Sequence, residues 1–218
     1  MSGPADAATR RQLRHADLTA VALRAGRGDP VALDVLVSRT VADVTRYCAH
    51  LVGPADADDL AQAAFLRAVR ALPRFRGESS ARTWLFGIAR HACLDEHRAR
   101  HRRRRLQERL QVASGSEAAA DDRLPLELRE ALAALEPDRR EAFVLTQVLG
   151  FGYADAAAIV GCPVGTIRSR VSRARVDVAG WLGDEAPTAL RPAPTGARAA
   201  AATGAAVTGR AGVAGDGC

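Results

Sequence analysis

Residues 153–175 read YADAAAIVGCPVGTIRSRVSRAR, a pattern that predicts two short helices joined by a tight turn. Gly161 tolerates the positive φ that ends a helix, and Pro163 suits the first turn of the next helix. The second helix has one apolar stripe, spaced by four, three and four residues, formed by Ile167, Val171, Ala174 and Val178. Small and basic residues cover its opposite side, which is typical of a helix that enters the major groove of DNA. The alternative is an ordinary amphipathic surface helix whose arginine face is solvated.

The composition narrows the possible function classes. All 31 basic residues are arginine, and the net charge of +6 favours a polyanionic partner, either nucleic acid or an anionic membrane surface. No run approaches the roughly 18 apolar residues of a membrane span, so we expect a cytoplasmic protein. The cysteines lack paired spacing, and no histidine is paired with a nucleophile at a recognisable distance. We therefore expect no enzyme activity, no cofactor and no metal site.

The distribution of apolar residues predicts an all-α protein with two small helical domains joined by a flexible linker. Asp29 and Pro30 predict the start of a helix over about 30–50, and Pro73 ends a helix that begins near Asp58. The predicted division is a loose N-terminus (1–16), an N-terminal domain (17–105), a linker (106–123), a C-terminal domain (124–183) and a disordered Ala/Gly/Pro-rich tail (184–218).

Two distant stretches together resemble the extracytoplasmic-function sigma factors, the small members of the sigma-70 family. The first stretch, residues 55–105, is ADADDLAQAAFLRAVRALPRFRGESSARTWLFGIARHACLDEHRARHRRRR. It is similar to the family's N-terminal domain, which holds core RNA polymerase and melts the −10 element. The second, residues 124–175, begins LPLELREALAALEPDRREAF and ends in the helix-turn-helix. It is similar to the domain that recognises the −35 element.

The resemblance implies a polymerase-binding face on the helix that begins near Asp58. Asp59 and Gln62 match polar positions that contact the clamp coiled coil of the largest core subunit, and Phe65 is assigned to the same set. The alternative is an Asp that serves the helix dipole at the N-terminus and an ordinary exposed Gln. Ala63 and Ala64 depart from the polar residues common in the family, so we expect the contact to depend more on shape. The resemblance also implies a contact with the flap region of the polymerase.

The resemblance assigns the −10 element to the loop and helix over residues 74–98. Trp84 matches an aromatic position used in strand opening, although a tryptophan flanked by Leu85 and Ile88 is also typical of a core residue. The loop over residues 75–80 is the better candidate for a base-binding pocket. His91 stands where relatives commonly have Asn. The implied −10 set is Arg74, Arg76, Arg82, Trp84, Arg90, His91 and Arg98.

The resemblance assigns the −35 element to the second helix of the helix-turn-helix. Arginine binds guanine in a bidentate way, whereas serine is less selective. Ser172 replaces an aromatic residue or His of many relatives and predicts a different −35 preference. Arg175 lies nearer the edge of the buried stripe, where phosphates or neighbouring helices are its expected partners. The implied −35 set is Arg168, Ser169, Ser172, Arg173 and Arg175.

Two other classes fit parts of the sequence. An autonomous helix-turn-helix regulator would bind an operator as a dimer, but it does not need residues 55–105. A basic nucleoid-associated protein would need only the arginine-rich segments. The sigma-factor hypothesis accounts for both stretches, and it implies a monomer that binds promoter DNA and has an anti-sigma factor as a possible further partner.

Overall fold

The computed structural model describes residues 4–108 and 125–182, and these residues form helices and the turns that join them. The predicted tail lies outside the described residues, as does all of the predicted linker except residues 106–108. The N-terminal domain contains α1 (Pro4–His15), α2 (Leu18–Gly26), α3 (Pro30–Val52), α4 (Ala57–Ala71) and α5 (Ala81–Glu108). The C-terminal domain contains α6 (Leu126–Ala134), α7 (Pro137–Phe143), α8 (Tyr153–Val160) and α9 (Val164–Leu182).

Side-chain caps determine where several helices begin. The Asp29 carboxylate accepts hydrogen bonds from the N–H groups of Val31 at 2.9 Å and Ala32 at 3.0 Å. These bonds, with the Arg24 side chain, hold the pKa of Asp29 below its usual value. Pro30 occupies the first turn of α3, where its missing N–H costs nothing. The predicted start of this helix is therefore confirmed.

The prediction of a loose segment over residues 1–16 is wrong for most of its length. Helix α1 spans Pro4–His15 and packs on α3, with Leu13 buried. The Arg39 guanidinium donates a hydrogen bond of 2.7 Å to the carbonyl oxygen of Ala16, which fixes the chain at the end of α1. The predicted start of the linker at residue 106 is also wrong, because α5 continues to Glu108.

The two domains share one hydrophobic core, and each domain also has a smaller core of its own. Tyr47 and Phe86 of the N-terminal domain lie in the same buried cluster as Leu145, Phe151 and Ile167 of the C-terminal domain. The rings of Phe86 and Phe151 meet edge to face with centroids 4.8 Å apart. The all-α, two-domain prediction is confirmed, and the structure adds that the domains pack directly on one another.

Candidate nucleic-acid and protein interfaces

The helix-turn-helix forms as the sequence predicts. Gly161 ends α8 in the left-handed conformation with φ of 73°, and its N–H donates to the carbonyl oxygen of Ala157 at 2.8 Å. The predicted apolar stripe of α9 is buried through its length. This burial fixes the rotation of α9 about its axis and therefore determines which side chains face outward.

The outward face of α9 carries four of the five residues assigned to the −35 element. Arg168, Ser169, Ser172 and Arg173 are all exposed. Arg175 is half-buried, and its Nη2 donates a hydrogen bond of 2.7 Å to the Gln147 side-chain oxygen. The structure therefore places Arg175 against the neighbouring π-helical turn (Val144–Val148) rather than on the open face of α9.

A loop-built cavity of about 340 Å³ lies between α4 and α5. It is lined by Arg74, Phe75, Arg76, Glu78, Ser79 and Trp84. The rings of Phe75 and Trp84 lie with centroids 4.8 Å apart and form one wall. Trp84 is half-buried and packs against the core, as the core interpretation predicts, whereas its role in strand opening stays a prediction.

The remaining residues assigned to the −10 element are not brought together on one open surface. Arg82 and Arg90 are half-buried and hydrogen-bonded to the C-terminal domain. His91 is exposed, with Nδ1 2.7 Å from the carbonyl oxygen of Gly87. Arg98 is exposed and lies 3.8 Å from an oxygen of Asp95.

A third surface lies on α4 and includes two residues that sequence reasoning missed. Asp59 and Gln62 are exposed as predicted, whereas Phe65 is half-buried against the core. Leu66 and Val69 are 54% and 41% exposed, although they are large apolar side chains. Residues 59, 62, 66 and 69 are spaced by three, four and three positions, so they share one helix face. Helical spacing places these four positions on one face, but only the burial of the α4 alanines shows that this face is exposed.

Helix α4 packs inward through small side chains, which explains why larger ones face outward. Its buried residues are Ala57, Leu60, Ala61, Ala64 and Ala68. Alanines allow close approach to the neighbouring helices α3 and α5. Leu66 and Val69 therefore remain 54% and 41% exposed, and an exposed apolar patch of this kind is typical of a protein interface.

The arginine-rich end of α5 is partly neutralised by acidic groups. Arg100 forms ion pairs with Asp56 and Glu96 and also donates to the carbonyl oxygen of Val52 at 2.9 Å. Arg67 forms a hydrogen bond of 2.8 Å with Asp95 and lowers the pKa of that carboxyl. These bonds join α5 to α3 and α4, so part of this positive charge stabilises the fold rather than facing a partner.

Over the two ranges that the structure describes, no helix is long and apolar enough to cross a membrane. The same residues contain no group of three or more His, Cys, Asp or Glu side chains positioned to hold a metal ion.

Two family models match the chain, one for each domain. The model described as sigma-70 region 2 matches residues 36–103, and that described as sigma-70 region 4 matches residues 126–178. The chain is 48% identical over 161 residues to the ECF RNA polymerase sigma factor SigC of Mycobacterium tuberculosis, covering 72% of this chain and 87% of that protein. It is 36% identical over 166 residues to the ECF RNA polymerase sigma-E factor of Escherichia coli K12, covering 70% and 87%.

Two solved structures resemble the fold. The sigma factor RpoE in complex with the anti-sigma factor NepR from Bartonella quintana matches with a TM-score of 0.59 and 34% identity, covering 67% of this chain and 93% of that chain. CnrH in complex with the cytosolic domain of CnrY matches with a TM-score of 0.57 and 27% identity, covering 75% and 96%.

Proposed function

Because the chain belongs to the extracytoplasmic-function sigma factors of the sigma-70 family, we propose that it binds core RNA polymerase and directs it to promoters with −35 and −10 elements. The observation that carries this proposal is the combination, on one chain, of an exposed arginine and serine face on α9, a loop-built cavity beside Phe75 and Trp84, and an exposed apolar stripe on α4. An autonomous helix-turn-helix regulator would need only the first of these. Since the polymerase that it serves is cytoplasmic, we place the protein in the cytoplasm.

The exposed stripe on α4 is the proposed docking site for the clamp coiled coil of the largest polymerase subunit. Leu66 and Val69 supply apolar area, and Asp59 and Gln62 supply hydrogen-bonding groups at the same face. Burial of such apolar side chains against a partner contributes about 25 cal/mol per Å² removed from water. The half-buried Phe65 supports this face from beneath rather than contacting the polymerase.

A groove on the C-terminal domain is the proposed contact for the flap region. It has a volume of about 520 Å³ and is lined by residues of α6, α7, α9 and the turn between α6 and α7, including Leu135, Val176 and Trp181. Val176 and Trp181 are exposed large apolar side chains beside the Arg139–Asp177 ion pair. An apolar groove with a charged rim suits an amphipathic segment of a protein partner.

The cavity beside Phe75 and Trp84 is the proposed site for a base of the −10 strand. A base that leaves the duplex loses its stacking, and an aromatic wall replaces part of that interaction. Arg74 and Arg76 lie at the same cavity and can neutralise phosphates of the exposed strand. The open arginine and serine face of α9 is proposed to contact the −35 duplex.

A pair of matched valines tests the polymerase contact. Val69 on α4 and Val41 on α3 are 41% and 40% exposed, so Arg at either position meets solvent in the free protein. Val69→Arg should weaken binding of the labelled chain to core RNA polymerase about tenfold or more, which corresponds to about 1.4 kcal/mol. Val41→Arg should leave the affinity within about twofold of wild type. Equal affinities of the two variants would refute the α4 docking site.

A further inference from the structure

Helix α2 lies against the loop over residues 75–80, several of whose side chains line the loop-built cavity. A Cβ atom at Gly77 in this loop would lie 3.5 Å from Leu23 and 3.6 Å from Thr19, which are ordinary contact distances. Thr19 and Leu23 are four positions apart, so they lie on one face of α2. The loop therefore rests on a surface that α2 provides.

The hydroxyl of Thr19 also holds the end of this loop. Its Oγ1 accepts a hydrogen bond of 3.2 Å from the N–H of Ala81, the first residue of α5. The first N–H groups of a helix have no partner within the helix itself. Ser80 supplies a partner for a later one, because its Oγ accepts from the N–H of Thr83 at 3.0 Å. The N–H of Ala81 is instead bound by α2, 62 residues back along the chain.

This hydrogen bond lies beside a hydrophobic core. Ala81 is completely buried and belongs to the same cluster as Val21 of α2. Phe75 and Trp84, which form one wall of the cavity, pack against this cluster. A buried N–H that loses its acceptor costs more free energy than an average hydrogen bond contributes. The Thr19 hydroxyl therefore favours one position of the loop relative to this wall.

Neither the sequence nor the family match assigns a role to α2. The match to sigma-70 region 2 begins at residue 36, after α2 has ended, and none of the residues assigned to DNA lies on this helix. Thr19 is not among the residues that line the cavity. Any effect of Thr19 on a ligand in the cavity is therefore transmitted through the loop.

We propose that Thr19 is a positioning residue for the −10 base, because it holds the loop so that the cavity is formed before the strand arrives. A preformed cavity binds more tightly, since binding then has no loop to order. Without the Thr19 hydroxyl, the cavity is formed in only a fraction of the molecules, and the apparent affinity falls by that fraction. The base as ligand rests on the proposed function, whereas the fixed loop does not.

The fixed loop is tested in the free protein without any ligand. Thr19→Val keeps the size of the side chain and removes the acceptor, whereas Thr19→Ser keeps the acceptor. A Trp181→Phe background leaves Trp84 as the one tryptophan of the chain. Acrylamide should quench the fluorescence of Trp84 more strongly in Thr19→Val than in wild type, because the loop no longer stays beside the ring. Thr19→Ser should behave as wild type.

Base binding is tested with two single-stranded DNA oligonucleotides of equal length, one of mixed sequence and one abasic. Thr19→Val should bind the mixed-sequence strand about three- to tenfold more weakly than wild type, the range expected for one hydrogen bond. Its affinity for the abasic strand should be unchanged, because Arg74 and Arg76 still meet the phosphates. A general loss of structure would lower both affinities.

Thr40→Val is the matched control for a lost hydroxyl. Thr40 is buried in α3, and its Oγ1 donates to the carbonyl oxygen of Leu36 in the same helix at 2.7 Å. This variant also loses a hydroxyl hydrogen bond, but the bond does not hold the loop. Its affinity for both strands and the quenching of Trp84 should match those of wild type.

These outcomes separate the role of Thr19 from the function of the cavity. Equal quenching of Trp84 in wild type and Thr19→Val, or equal affinities of the two for the mixed-sequence strand, would overturn the positioning role. Equal binding of both strands by wild type would instead overturn the proposed base site, and the quenching comparison would still decide whether Thr19 fixes the loop.

Discussion

Gly26, at the end of α2, allows a close approach that positions the loop beside the cavity of Phe75 and Trp84. A Cβ atom at this position would lie 2.5 Å from the carbonyl oxygen of Leu72, a backbone atom that a rotamer change cannot move. The same carbonyl accepts a hydrogen bond of 3.0 Å from the N–H of Phe75, which lines the cavity. Gly26→Ala should therefore strain both the packing of α2 and the loop that begins at Phe75.

The expected effect is the difference between two opposing terms. Replacing a helical glycine by alanine stabilises by about 0.5–1 kcal/mol. Overpacking costs about 1–3 kcal/mol, and the contact with a backbone oxygen puts this site in the upper part of that range, so Gly26→Ala should lower the free energy of unfolding by about 1–2 kcal/mol. Gly87→Ala in α5 is the matched control, because apart from the local backbone of α5 no atom lies within 4 Å of its added Cβ. The control should gain about 0.5–1 kcal/mol.

Urea unfolding followed by circular dichroism measures both variants. If the free energy of unfolding falls by about 2 kcal/mol per molar urea, the urea concentration at the unfolding midpoint should fall by about 0.5–1 M for Gly26→Ala. The midpoint of Gly87→Ala should rise. A midpoint for Gly26→Ala at or above that of wild type would refute the close contact between α2 and Leu72. A fall for Gly87→Ala would refute the open space beside α5.

Three further predictions follow from caps, burial and charge. Asp29→Ala removes the cap of α3 and should lower the free energy of unfolding by about 1 kcal/mol in urea titrations at neutral pH; no loss would show that the cap is not needed. Burial, with the nearby charge of Glu141, raises the pKa of Tyr47, so its stabilising contribution is complete below the unfolded tyrosine pKa near 10 and is lost as pH rises through the higher folded pKa. Unfolding free energy should therefore fall above about pH 10 more steeply in wild type than in Tyr47→Phe, and parallel curves would contradict this assignment. Arg102→Ala should keep the promoter preference but reduce the slope of log affinity against log salt for duplex DNA by up to about 0.9, whereas a changed sequence preference would show that Arg102 reads bases.

Local patterns in the sequence determine much of this fold. The Asp29–Pro30 pair, the glycine that ends α8 and the buried stripe of α9 were predictable because each depends on residues within a few positions. The exposure of the α9 side chains that the sequence assigns to the −35 element follows directly from that stripe. A single buried residue, Leu13, is a weak local signal for α1, which is held by contacts with α3.

The hydrogen-bond partners of Arg82 and Arg90 were not predictable from local patterns. Their partners lie 67 and 51 residues further along the chain, and only the packed domains bring these groups together. The exposure of Leu66 and Val69 became clear only from the structure, which shows that the alanines form the buried face of α4. A prediction from side-chain size alone would bury the larger residues of α4. In the structure, close packing against α3 and α5 instead buries the small alanines.

Run-off transcription by bacterial core RNA polymerase tests the central claim most directly. Genomic fragments of the source organism are transcribed with and without the full chain, and with Val69→Arg and Val41→Arg as the matched pair. We predict discrete start sites that require the chain, that share a −35 and a −10 sequence, and that Val69→Arg abolishes while Val41→Arg preserves. If the chain binds duplex DNA but start sites are the same with and without it, the sigma-factor account is wrong.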